Sequence, residues 1–254
     1  MSGEIFHEIL SRGDVGDFKF PSSNYYGIPD LLLSCQPMGL ELPVNRWGAK
    51  ARKERLQGQT VHFYTDDYRF TKLWLDPSDI VNCGCNAMVE PNFSTNGEME
   101  KVVALSYVYM KRWIARWAQA QGIKIWVDLA MAEQHADIAL LGVPKGWKAY
   151  ATYTYITGYD DERLFRQHDQ AVQHAGCDES GGLIFWVYGG EEHIQELCQE
   201  HGWIWTPAHQ QAYLRNVGGT KMRQAKMPKS VSNGRLGKKL SIEEPKMMTL
   251  EDWC

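Results

Sequence analysis

Apolar and polar positions follow two rhythms along this chain, and the rhythms take turns. From residue 61 onward, short runs that are apolar throughout give way to longer stretches with an apolar residue every three or four positions. The first rhythm belongs to strands buried on both faces, the second to amphipathic helices. VHFYTDD (61–67), NAMVEPNF (86–93), IKIWVDLAM (123–131), AYATYTYI (149–156), GLIFWVYGG (182–190) and WIWTP (203–207) read as six strands. The spacing between them predicts helices over about 98–121, 161–175 and 191–201, with Gly122 and Gly176 as stops. A last helical turn or two reaches about residue 216. In the first helix Met99, Val102, Val103, Met110, Trp113, Ile114 and Trp117 make the predicted apolar face.

Buried strands alternating with helices imply an α/β fold with a mainly parallel sheet covered on both faces. Six strands at this spacing suit a barrel-like (β/α) core. A dinucleotide-binding sheet would carry a glycine signature after its first strand, and none is present; no nucleotide-cofactor motif occurs elsewhere. Residues 1–60 read as an N-terminal segment packing on the core, 61–216 as the core domain, and 217–254 as a flexible basic tail rich in Lys, Arg, Gly and Ser.

Composition changes this picture little. A chain of 254 residues, 44% of them hydrophobic, can bury a sizeable core. No apolar run is long enough to span a bilayer, and the first residues, MSGEIFHEILSRGD, lack the apolar stretch of a secretory signal. The expectation is a cytoplasmic protein without membrane contact. Six scattered cysteines then predict reduced thiols. Cys83 and Cys85 are the one close pair, with no second pair or histidine set to complete a zinc site.

Charge changes it more. The whole chain carries −4, yet residues 215–242 hold eight Lys or Arg and no acid, which leaves −12 on the rest. A basic arm on an acidic body is an electrostatic footprint for nucleic acid. Lys221, Arg223, Lys226, Lys229, Arg235, Lys238 and Lys239 are the candidate phosphate contacts, and the basic stretch 46–55 could add to them.

Candidate chemistry lies at the strand ends, because parallel α/β sheets and barrels bind ligands where their βα loops converge. In chain order those ends present Asp66 and Asp67, Glu90 with Asn92, Asp128, Tyr155 with Thr157, Tyr188 with Gly189 and Gly190, and Thr206 with His209. Three successive strands thus deliver carboxylates to one rim. Asp66, Asp67, Glu90 and Asp128 are the candidate catalytic residues. Asp67, Glu90 and Asp128 could hold Mg²⁺ or Mn²⁺, which take oxygen ligands and support phosphodiester chemistry. The plainer alternative is that each acid caps a helix or bonds loop amides. Tyr107 and Lys111, one helical turn apart, match the geometry of a lysine-activated tyrosine, but the His-x-His metal motif that accompanies it in replication initiators is absent. The glycines of VYGGEE precede a helix that could accept an anion, although Glu191 and Glu192 already satisfy its dipole.

The chain resembles a family of domains of unknown function found in bacteriophages, prophages and plasmids. The resemblance runs over about 25–215 and is carried by GIP (27–29), FYTDDYRF (63–70) with Trp74, EPNFST (90–95), QGI (121–123), GVPK (142–145) and VYGG (187–190). Members often carry Asp where this chain has Asn92, and an amide there weakens a Mg²⁺ site. The resemblance implies a mobile-element setting rather than a reaction. Three readings follow: a nucleic-acid or nucleotide enzyme, a non-enzymatic DNA- or RNA-binding accessory protein, and a host-interaction factor whose protein partner the sequence does not name.

Overall fold

The computed structural model describes residues 19–48, 56–154, 161–176 and 182–208, all within one compact unit spanning residues 1–217. The basic tail, the last predicted helical turn, Tyr155, Thr157 and His209 lie outside the described residues. Among the described residues seven strands lie side by side in chain order: β1 (Val44–Arg46), β2 (Thr60–His62), β3 (Ala87–Val89), β4 (Lys124–Asp128), β5 (Ala149–Tyr153), β6 (Ile184–Tyr188) and β7 (Ile204–Thr206). Every neighbouring pair is parallel. Among the described residues the helices are α1 (Ser78–Cys83), α2 (Lys101–Ala120), α3 (Asp161–Ala175) and α4 (Glu192–Glu200). Six strands fall on the predicted runs. The seventh, β1, comes from the N-terminal segment, where three residues are too few to leave a periodic pattern.

The sheet is curled into a half-barrel. β2 and β6 are four strands apart, roughly 19 Å in a flat sheet. Yet the rings of His62 and Tyr188 lie 4.1 Å apart, and those of Tyr64 and Tyr188 5.6 Å apart. Strand alternation then separates two layers. Ala87, Val89, Trp126, Ala149, Ala151 and Trp186 fill the concave side, small residues facing large ones. Val61, Phe63, Met88, Ile125, Val127, Phe185 and Val187 belong to the larger core that includes Ile114 and Ala118 of α2, Leu164 of α3 and Cys198 of α4.

Helix α2 keeps most of its predicted face, with Ile114 buried and Met99, Met110, Trp113 and Trp117 half-buried against the core, and corrects the rest. Its buried residues include Ala104, Val108, Lys111, Arg112, Ile114, Ala115 and Ala118, whereas Val102 is 73% exposed. Small residues let the helix approach the sheet closely, and the larger Trp113 packs at the flank against Phe20 and Trp74. The segment before β1 is tied to the same helix. Gln119 bonds both the amide and the carbonyl of Leu32. Two motifs of the sequence, GIP and GVPK, meet here: Leu31 donates to the Gly142 carbonyl at 2.8 Å, and a Cβ on Gly142 (φ +76°) would collide with the Pro29 carbonyl.

Candidate functional site

The last residue of β4 sits at the C-terminal end of the half-barrel, on its concave side. Asp128 is 0% exposed. Its carboxylate accepts from Asn92 Nδ2 at 2.9 Å, from the Tyr64 hydroxyl at 3.3 Å and from the Ala130 amide at 3.1 Å. Lys111 Nζ, reaching over from α2, lies 3.5 Å from the same carboxylate and 2.9 Å from the Asp128 carbonyl. Burial pushes the Asp128 carboxyl above its ordinary 3.8, while the Lys111 ammonium and the Asn92 amide pull it back down.

Tyr64 links this carboxylate to a cluster of aromatic rings from neighbouring strand ends. His62 ends β2, Tyr153 ends β5 and Tyr188 ends β6. Tyr64 packs its ring between those of Tyr153, at 4.9 Å, and Tyr188. His62 accepts the Tyr64 amide on Nδ1 at 3.3 Å. Thr206 closes the row on β7, its hydroxyl accepting from Trp186 Nε1 at 2.9 Å.

Of the predicted acids, the structure brings together Glu90 and Asp128. Glu90 Oε2 accepts the Asp128 amide at 3.1 Å. The side chains nevertheless leave on opposite faces of the sheet. Glu90 follows the inward Val89, so it turns out toward α2, where it forms a fully buried ion pair with Arg112. Arg112 in turn donates to the carbonyls of Ala139 and Leu141. Asp66 and Asp67 lie past the end of β2, at a 3-10 turn, and spend their oxygens on other partners. Asp66 pairs with Arg69 at 3.1 Å, and both are exposed. Asp67 holds the next loop, accepting from the Ser94 amide at 3.0 Å and hydroxyl at 2.9 Å. Among the described residues no group of three or more His, Cys, Asp or Glu is arranged to hold a metal ion.

Three residues that sequence reasoning passed over complete the site: Tyr64, Arg112, and Lys111 in its role toward Asp128. Lys111 turns to Asp128, while Tyr107 stacks on Phe93 at 5.5 Å. The available signal was a Lys-Arg pair between Met110 and Trp113, two adjacent cations inside the otherwise uncharged run from Tyr107 to Ile114. Cys83 and Cys85 are free, buried thiols.

A family model described as a domain of unknown function, DUF4417, matches residues 20–174. The chain belongs to the DUF4417 family. The DUF4417 region includes Asp66, Asp67, Glu90, Lys111, Arg112 and Asp128, and it ends before VYGG. Two curated relatives are phage proteins. The Gene 1 protein of Mycobacterium phage D29 is 31% identical over 155 residues, covering 58% of this chain and 56% of that protein. The Gene 1 protein of Mycobacterium phage L5 is 30% identical over 187 residues, covering 70% of this chain and 77% of that protein. The chain therefore spans little more than half the length of the D29 protein. No solved structure matches it. DUF4417 is on these comparisons a phage-associated family. No described helix is long and apolar enough to cross a membrane.

Proposed function

We propose that this DUF4417 protein acts on nucleic acid or a nucleotide, with its site at the C-terminal mouth of the half-barrel and Asp128 at the centre. The observation that carries the reading is the Asp128–Lys111 pair, 3% exposed or less on both sides. A buried ion pair is usually no more stable than a well-packed apolar pair, so stability alone does not account for it. A buried carboxyl held above its ordinary value is suited to proton transfer, and Lys111 would steady its charged form. The rings of Tyr153 and Tyr188, packed on Tyr64, are of the kind on which bases stack. The cations of 215–242 would supply sequence-independent phosphate contacts.

One observation favours binding without chemistry: Glu90 and Asp128 already spend their oxygens on Arg112, Asn92, Tyr64 and backbone amides. Mg²⁺ or Mn²⁺ would have to displace those partners. Fluorescence anisotropy with single-stranded DNA, paired with a cleavage assay in EDTA, Mg²⁺ or Mn²⁺, separates the readings. The enzymatic one predicts that Asp128→Asn keeps salt-dependent binding and loses turnover. Binding with no turnover under any condition favours the accessory role, and no binding at all removes both.

A further inference from the structure

On the convex side of the same strand end, a cavity of about 330 Å³ lies between α3 and the 3-10 turn Glu133–Ile138. Leu129, Met131, Ala136 and Ala139 make its apolar lining. All its other walls but one come from a single stripe of α3, at positions 163, 166, 167 and 170, which share one helix face. Two of these brace the walls. Gln167 donates to the Leu129 carbonyl and accepts from Thr152, each at 2.8 Å, and Gln170 donates to the Ala136 carbonyl at 2.8 Å. The cavity is therefore held open by hydrogen bonds that do not depend on an occupant.

The charged groups stand at its edge. Arg163 reaches the Met131 carbonyl at 3.4 Å. Arg166 lies 3.3 Å from Glu133 and 3.5 Å from Glu162, carboxylates that are 70% and 81% exposed. Such exposed pairs are worth about 0–1 kcal/mol and are readily exchanged. A guanidinium fork fits the two oxygens of a carboxylate or phosphate. The volume is near the lower end of small-molecule sites, roughly 300–1,000 Å³.

We infer that this cavity binds a small organic oxyanion, its compact apolar body seated on Leu129, Met131 and Ala136 and its charged head on Arg166 and Arg163. Glu133, which pairs with Arg166 at 3.3 Å, is displaced from the head position on binding. The cavity is independent of Asp128, whose side chain faces the other side of the sheet.

The test is calorimetric titration of the full chain with phenyl phosphate and with phenylacetate, using inorganic phosphate and benzyl alcohol as controls. One of the two aromatic anions should bind more tightly than either control, and which one does identifies the head group as phosphate or carboxylate. Arg166→Gln should weaken that binding about tenfold, the scale of one charge-assisted hydrogen bond. Glu133→Gln should tighten it several-fold, because the competing carboxylate is gone. Ala136→Phe should abolish it by filling the cavity. Tightening by Glu133→Gln cannot come from misfolding, so the inference stays exposed even if another variant is unstable. It is overturned if neither aromatic anion binds, if the controls bind as well, or if affinity ignores both charge substitutions.

Discussion

Asp128 and Lys111 each lose their hydration on folding, and what each regains is the other, an asparagine, a tyrosine and backbone groups. Removing one partner of such a pair leaves the other charged and buried. Lys111→Met should therefore destabilise the protein by about 3–5 kcal/mol, while Lys111→Met with Asp128→Leu should recover most of that loss. Denaturant melts of both variants check this. A double variant no more stable than the single one would mean the pair holds the fold up rather than serving a site. Asp67 has a different character. Its two bonds to Ser94 fasten the loop after β3 to the turn after β2, so Asp67→Asn should lower stability by about 1 kcal/mol, or roughly 2–4 °C in melting temperature. A melt that coincides with the wild type would return Asp67 to the catalytic candidates.

Helix and strand positions were legible in the sequence wherever the apolar pattern was long, and faces were legible less often. The buried stripe of α2 was legible only in part, at Ile114, because the rest is built from Ala104, Val108, Ala115 and Ala118 plus two cations, and pattern reading counts Lys111 and Arg112 as solvent-facing. Their acceptors, Asp128 and Glu90, lie 17 and 22 residues away, a pairing that no local rule reports. The acids themselves were legible, because a strand's end is easy to find. Which side of the sheet each leaves by depends on register, and one residue of alternation sends Glu90 and Asp128 to opposite faces. Helix α3 carries a consequence of its own at His174. Burial holds this imidazole below its ordinary 6.5, helped by the Lys145 ammonium at 3.5 Å, while the ring bonds the Val143 carbonyl at 2.9 Å. A depressed value means the unfolded chain takes the proton first, so this stability is complete above 6.5 and is lost as the pH falls through the lower folded value. His174→Gln should flatten the stability profile between about pH 7 and pH 5 relative to wild type. Parallel profiles would show that His174 is not buried neutral. Gly142 joins the loop before β5 to the N-terminal segment, so Gly142→Ala should cost at least about 2 kcal/mol through its left-handed backbone and the Pro29 collision. A neutral substitution would mean that the two loops part easily.

At the scale of the whole molecule, seven parallel strands in chain order bring every strand end to one edge, and curling brings β2 within ring contact of β6. That is why residues as distant in sequence as His62, Asp128 and Tyr188 form one neighbourhood. On the proposed function this neighbourhood seats the ligand, and the chain beyond residue 216 has a supporting role. Photo-crosslinking decides it most directly. Single-stranded DNA carrying 5-iodo-deoxyuridine is irradiated with the full-length protein, and the adducts are mapped by mass spectrometry. Adducts on Tyr153, Tyr188 or Tyr64, reduced by competitor nucleotide, are the predicted result. Adducts confined to residues 215–242, with the mouth untouched, would contradict it.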